Sequence, residues 1–130
     1  MTKEFVSLII LNDKNEILLQ LRDNIQSIPF PNTWCNLGGG IEENEKPDEA
    51  IKREISEEIG LDIENFKFFR KYISNQRIDW VFSTSLSLDL EKVILSEGQK
   101  IEYFSFDDAI KLTYGFGEEK FVVDFFNNIA

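Results

Sequence analysis

Apolar residues along this chain follow two periodicities, one typical of strands and one typical of helices. Two short apolar runs, residues 5–11 and 17–21, flank a polar segment at 12–15, which predicts an antiparallel hairpin of two buried, central strands. Stretches rich in aromatic and β-branched residues predict three more strands, at residues 66–72, 80–88 and 101–106.

Two segments follow helical spacing. The first has Pro47 in its first turn and Gly60 just past its last, with an apolar stripe at Ile51, Ile55 and Ile59. A terminal helix is predicted from the apolar positions Phe121, Val122, Phe125, Phe126 and Ile129. Together these elements predict an α+β fold in which a mixed sheet packs against helices.

Size and charge limit what this chain does. Its 130 residues suit one domain, so we expect a single domain over residues 1–130. The net charge of −10 repels phosphate backbones and anionic lipids, so we expect neither duplex nucleic acid nor a membrane as partner. The apolar run at residues 5–11 is too short for a membrane span and lacks a cleavage pattern. A lone Cys35, interpreted as a packing residue, suits a reducing compartment, which predicts a cytoplasmic location.

Histidine is absent, which excludes Ser-His-Asp and Cys-His nucleophile pairs and every imidazole metal site. Carboxylate chemistry remains, and residues 42–62 contain nine acidic and three basic side chains. Lys52 is within helical reach of Asp48, and Arg53 is within helical reach of Glu49 and Glu57. If these pairs form, Glu54 and Glu58 are left without a cation. Glu57 and Glu58 also lie in the last turn, where the helix dipole disfavours anions.

An acidic helix is usually only a solvated face, but this one concentrates unfavourable charges on one side. Glu54, Glu57 and Glu58 lie at i, i+3 and i+4, so they project from one face. A hard cation with oxygen ligands is the simplest explanation, and carboxylates favour Mg²⁺ or Mn²⁺. Calcium is the alternative, but no EF-hand loop is present. Because Mg²⁺ in proteins usually also binds substrate phosphates, a phosphorylated substrate is expected.

The residues from Gly39 to Leu61 resemble the Nudix box. Gly39, Glu45 and the run Arg53-Glu54-Ile55-Ser56-Glu57-Glu58-Ile59-Gly60-Leu61 match its pattern, G-x5-E-x7-R-E-U-x-E-E-x-G-U, in every defined position. The early hairpin, Trp34 and Glu97-Gly98-Gln99 are similar to the MutT-like branch. This resemblance implies a Nudix fold, a mixed β-sheet sandwiched between helices. It also implies a Nudix pyrophosphohydrolase that cleaves a diphosphate linkage in a nucleoside diphosphate derivative.

The resemblance also implies roles for individual residues. Glu57 and Glu58 resemble metal ligands, and Glu54 a metal ligand that also activates water. Arg53 resembles the residue that orients the carboxylates, and Glu45 an outer acid near the metal. Three more positions are carried over from MutT-like members: the carbonyl of Gly38 and the side chain of Glu97 as metal ligands, and Arg22 as a phosphate contact, or alternatively an ordinary strand-end cation.

Substrate-binding residues are predicted from the glycine-rich turn and from aromatic side chains in irregular stretches. The candidates are Gly39, Gly40, Phe30, Trp34, Tyr114 and Phe116, although ordinary packing is the alternative for each aromatic. Leu37 replaces a proline common in relatives, which bears on the shape of the loop.

Signatures of the ADP-ribose, dinucleoside polyphosphate and NADH branches are absent, which favours a (deoxy)nucleoside triphosphate, including an oxidised one, giving nucleoside monophosphate and pyrophosphate. A nucleotide-sugar or other nucleoside diphosphate-X hydrolase, a non-catalytic Nudix nucleotide sensor and an acidic interaction module are the alternatives. We expect a monomer or homodimer.

Overall fold

The computed structural model describes residues 2–129. Its strands are β1 (Lys3–Leu11), β2 (Ile17–Leu21), β3 (Trp34–Cys35), β4 (Leu37–Gly40), β5 (Lys67–Ser74), β6 (Arg77–Ser85) and β7 (Lys100–Phe104). Its α-helices are α1 (Pro47–Ile59), α2 (Phe106–Ala109) and α3 (Glu119–Ile129), and a 3₁₀ turn covers Leu90–Lys92. None of the helices described is both long and apolar enough to cross a membrane.

The seven strands form one mixed sheet with β1 at its centre. β1 pairs in parallel with β6 along its whole length, and β5 pairs antiparallel with β6. On its other edge β1 pairs antiparallel with β4. β2 pairs antiparallel with both β7 and β3. The sheet therefore has the mixed character that the sequence predicts.

The predicted hairpin of β1 and β2 exists, but these strands meet only at Leu11 and Ile17. Beyond that pair β4 occupies the edge of β1 that a longer hairpin would use, from Phe5 to Leu8. The hairpin pattern did not reveal β4 as a competitor for this edge, because the glycine-rich β4 has no alternation of its own from which a strand could be predicted.

Apolar side chains form two clusters, one on each face of the sheet. The first packs the isoleucine stripe of α1 onto β1, β2 and β4 and includes Leu8, Ile10 and Leu37. The second packs α3 onto the opposite face, with Phe121 and Val122 fully buried against Ile9 and Leu19. The sheet is thus sandwiched between helices, which confirms the α+β fold class and fixes α1 against the glycine-rich strand.

Candidate active site

The site begins where β4 runs beside β1. The backbone N–H of Gly38 donates to Oε1 of Glu58 at 2.8 Å, which ties this strand to α1. Gly38 has φ +154°, and a Cβ there would lie 2.0 Å from the carbonyl oxygen of Val6. Only glycine lets the two strands approach this closely. A Cβ on Gly39 would lie 2.5 Å from the carboxyl carbon of Glu54, so that carboxyl group is packed against bare backbone.

Helix α1 presents its acidic face to this strand because its ends and its buried side are fixed. The backbone N–H of Lys46 donates to the Glu49 carboxylate at 2.9 Å, and Gly60 ends the helix in a left-handed conformation. Ile51 and Ile55 are fully buried. The same helical phase buries Glu58, places Glu54 partly in contact with β4 and leaves Glu57 exposed.

Arg53 is the charged centre of the site. Its guanidinium lies 2.7 Å from Glu45, 2.9 Å from Glu54 and 3.3 Å from Glu57, and it donates to the carbonyl oxygen of Gly40 at 2.9 Å. These partners hold the pKa of Arg53 well above its usual range. The hydrogen bonds from Arg53 lower the pKa of Glu45. One arginine thus fixes the loop, the strand end and the helix relative to one another.

The ion pairs differ in part from those expected by helical spacing. Glu54 is not without a cation, because its neighbour Arg53 turns toward it. Lys52 pairs with Glu64 at 3.6 Å rather than with Asp48, because the loop between α1 and β5 brings Glu64 alongside the helix. The expectation for Glu54 was therefore wrong, since Arg53 lies one residue away and the i±3 and i±4 rule does not cover that spacing.

Glu58 is the buried carboxylate of the site and, among the residues described, makes no salt bridge. Burial, with the negative charge of Glu54 and then Glu97 adding to it, raises the pKa of Glu58 to about 8, against the opposing effect of the Gly38 N–H. Burial likewise raises the pKa of Glu54, although Arg53 opposes the shift. The site therefore holds more negative charge than its own cations balance.

A cavity of about 210 Å³ opens beside these residues. It brings together seven of the predicted site residues, namely Arg22, Gly38, Gly39, Gly40, Glu58, Glu97 and Phe116. Phe30 lies outside its lining but stacks edge-on against Phe116 at 4.7 Å. Trp34 does not reach the cavity, because its ring packs against Phe104 in the core. Tyr114 also faces the core, and its hydroxyl donates to the carbonyl oxygen of Ala109.

Sequence reasoning missed three charged residues that line this cavity, Asp23, Arg77 and Glu118, and the buried Asp79 next to Arg77. Arg77 lines it, donates three hydrogen bonds to the buried carboxylate of Asp79 and lies 3.8 Å from the ring centroid of Phe5. Glu118 lines it as well and accepts from the backbone and side-chain amides of Asn36, both at 2.9 Å. An acidic residue just before a helix is common at the start of ordinary helices, so no sequence pattern distinguishes Glu118 as a residue of the cavity.

The donor set suits a hard divalent cation, although the side chains are not gathered around one point. Within residues 2–129, no group of three acidic or cysteine side chains is close enough to hold an ion as they stand. The available donors are all oxygens, and the buried Glu58 carboxyl group, which burial disfavours in its charged form, is a group whose ionised form a bound cation would stabilise. The residues fit Mg²⁺ in chemistry, and the individual ligand assignments stay predictions.

Stability should depend on pH through Glu118. Burial raises the pKa of Glu118 to about 7 from 4.5, so the folded state binds the proton more tightly than the unfolded state. Glu118 therefore contributes a fall in the free energy of unfolding, on the order of 3 kcal/mol in total, as pH rises from about 4.5 through 7, and Glu58 adds a fall that continues to about pH 8. Glu118→Gln, which keeps an acceptor for Asn36, is expected to flatten this fall in urea titrations of metal-free protein. An unchanged pH profile would show that Glu118 ionises freely.

Comparison with known proteins assigns the class. The model of the NUDIX domain matches residues 1–125, and the chain belongs to the Nudix family. Diphosphoinositol polyphosphate phosphohydrolase 3-alpha of Mus musculus is 33% identical over 104 residues, covering 76% of this chain and 60% of that protein. Nucleoside triphosphatase NudI of Escherichia coli is 30% identical over 103 residues, covering 76% and 62%. The chain thus spans about 60% of the length of these relatives.

The fold is also similar to that of the MutT protein from Methanosarcina mazei Go1. The TM-score is 0.78 at 23% identity, with 98% of this chain and 94% of that chain covered. Nudix hydrolases generally require a divalent metal, usually Mg²⁺. The resemblance found in residues 39–61 therefore extends over nearly the whole chain as a shared fold.

Proposed function

We propose that this protein is a Mg²⁺-dependent pyrophosphohydrolase of a small nucleotide, with Mn²⁺ as the substitute cation. The best candidate substrate is a (deoxy)nucleoside triphosphate, including an oxidised one, which gives nucleoside monophosphate and pyrophosphate. The observation that carries this proposal is the cavity. Its lining contains Glu58, Glu97 and the glycine-rich strand together with Arg22, Arg77 and Phe116, and the Glu54 carboxyl group lies against that strand.

The acidic residues that line the cavity, Glu58 and Glu97, and those of α1 next to it, Glu54 and Glu57, supply the groups that hydrolysis of a diphosphate needs. Glu54, Glu57, Glu58 and Glu97, with the carbonyl oxygen of Gly38, would hold the divalent cation. When bound, the cation neutralises the diphosphate and promotes ionisation of the attacking water. Glu54 would accept the proton of that water. Arg53 keeps Glu54 in place, and Glu45 in turn holds Arg53 through two hydrogen bonds.

The arginines and the aromatic ring in the lining favour a nucleotide. Arg22 and Arg77 both lie near the ring of Phe116, at 4.9 and 5.2 Å from its centroid, so cations and an aromatic face occur together. This combination suits a phosphate next to a base or sugar. The cavity lining contains two arginines against four acidic residues, Asp23, Glu58, Glu97 and Glu118. That balance would repel a densely phosphorylated inositol such as the name of the mouse relative describes.

The test is release of phosphate or pyrophosphate from a panel of nucleoside triphosphates, oxidised nucleotides, nucleotide sugars and a diphosphoinositol polyphosphate, with and without Mg²⁺. We expect Mg²⁺-dependent pyrophosphate release from at least one triphosphate. Faster turnover of a nucleotide sugar would favour the alternative nucleoside diphosphate-X hydrolase. Binding of a nucleotide in thermal shift without turnover of any substrate would favour a nucleotide sensor and contradict the proposal.

A further inference from the structure

The short loop that carries Glu97 is fixed from two sides by hydrogen bonds. It lies between the 3₁₀ turn and β7, and the backbone N–H of Gln99 donates to the carbonyl oxygen of Leu21 in β2. The backbone N–H of Gly98 donates to the Asp23 carboxylate at 3.2 Å. Two further contacts hold the loop next to Glu97: Gln20 donates to the carbonyl oxygen of Glu97, and Ser96 donates to helix α1.

Gln20 holds the loop from strand β2. Its side chain is buried, at 6% exposure, and its Nε2 donates to the carbonyl oxygen of Glu97 at 2.7 Å. A Cβ on Gly98 would lie 2.5 Å from that same Nε2, so the amide reaches Glu97 only because residue 98 has no side chain. An apolar side chain could fill this buried strand position without needing a hydrogen-bond partner. Gln20 instead places a buried donor there, and that donor is directed at the backbone of one residue, Glu97.

Ser96 belongs to the loop and fastens it to helix α1. Its backbone N–H and its hydroxyl both donate to the carbonyl oxygen of Glu58, at 3.0 and 3.2 Å. This carbonyl belongs to the last turn of the helix, where carbonyl groups lack partners within the helix. The residue before Glu97 is thus bonded to the backbone of Glu58, the buried carboxylate of the site, and both glutamates line the same cavity.

We propose that Gln20 and Ser96 are positioning residues that hold Glu97 beside Glu58 and so set the affinity of the site for a divalent cation. This inference rests on the proposed function in assigning Glu97 as a ligand. Residues that orient a ligand without touching the metal commonly change metal affinity by about 10- to 100-fold when they are replaced. Gln20 and Ser96 act through the backbone of the loop, so we expect the lower end of that range.

The first experiment measures Mn²⁺ affinity by electron paramagnetic resonance, without substrate, for the intact chain and for Glu97→Gln and Gln20→Met. Methionine fills the volume of Gln20 but has no donor. We expect Glu97→Gln and Gln20→Met both to weaken Mn²⁺ binding, the second by about tenfold. Gln20→Met should also regain activity at high Mg²⁺, which a loss caused by unfolding would not do.

Tyr103→Phe is the matched control. The Tyr103 hydroxyl donates to the carbonyl oxygen of Leu86 and accepts from the N–H of Leu88, so it fastens the same connection without contacting Glu97. This variant should lower the melting temperature and leave Mn²⁺ affinity unchanged. If Tyr103→Phe weakens Mn²⁺ binding as much as Gln20→Met does, general loosening of the segment explains the effect and the positioning role is refuted.

Ser96 is tested by a pair of variants. Ser96→Ala removes the hydroxyl bond to Glu58 and should weaken Mn²⁺ binding, whereas Ser96→Thr keeps a hydroxyl and should preserve it. If Glu97→Gln weakens Mn²⁺ binding but Gln20→Met and Ser96→Ala do not, the inference fails while the proposed function stands. If the variants weaken Mn²⁺ binding but no nucleotide is hydrolysed, the proposed function fails while the inference stands, because binding is measured without substrate.

Discussion

Replacing Glu54 by glutamine is expected to lower kcat for nucleotide hydrolysis by about 100- to 10,000-fold, the usual contribution of a positioned general base. The variant should still fold, because the Glu54 side chain, 15% exposed, is replaced by one of the same shape whose amide can remain against Gly39. Glutamine cannot accept the proton of the attacking water at neutral pH. The measurement is steady-state pyrophosphate release at saturating Mg²⁺, with circular dichroism to confirm the fold.

Glu64→Gln is the matched control for this variant. Glu64 is largely exposed and forms an ion pair with Lys52 at 3.6 Å, and neither residue lines the cavity. The same chemical change there should leave kcat unaltered, since an exposed ion pair contributes little. Undiminished turnover by Glu54→Gln would remove this residue from the mechanism. A loss of activity in both variants would point to the charge of the whole helix rather than to a base.

The sequence predicts the helical half of this site well because its signals are local. Pro47, Gly60 and the isoleucine stripe set the ends and the buried face of α1, and these determine which glutamates face the strand. The helix in the structure begins at Pro47 and is capped by Gly60, as the pattern indicates. Helix capping and spacing depend on residues a few positions apart, so one sequence is enough to predict them.

The strand half of the site depends on contacts between distant segments, and there the sequence is less informative. Nothing in Leu37-Gly38-Gly39-Gly40 shows that it pairs with β1, because glycine has no side chain to alternate between faces. The sequence likewise does not predict the parallel pairing of β1 with β6, nor that Arg77 and Glu118 line the cavity. For the same reason, only some of the aromatic residues predicted to bind substrate lie at the cavity. Phe116 reaches the cavity and Trp34 packs in the core, yet both lie in irregular stretches of sequence.

The three consecutive glycines of β4 are expected to respond differently to alanine, which separates the fold from the chemistry. At Gly40 a Cβ has nothing within 4 Å, so Gly40→Ala should leave the free energy of unfolding nearly unchanged and serves as the control for stability. At Gly39 a Cβ meets only the flexible end of Glu54. Gly39→Ala should therefore fold but lose activity, because Glu54 is displaced from its position beside Arg53.

Gly38→Ala should have the largest effect on stability of any single change in this strand. Its Cβ would lie 2.0 Å from the carbonyl oxygen of Val6 and 2.9 Å from the Cα of Ser7, both backbone atoms of the central strand β1. Relief requires β4 to separate from β1, which also breaks the hydrogen bond from Gly38 to Glu58. We expect the free energy of unfolding to fall by about 3 kcal/mol or more, measured by urea titration. If Gly38→Ala is as stable as Gly40→Ala, the close pairing of β4 with β1 is not what holds the acidic helix at the cavity.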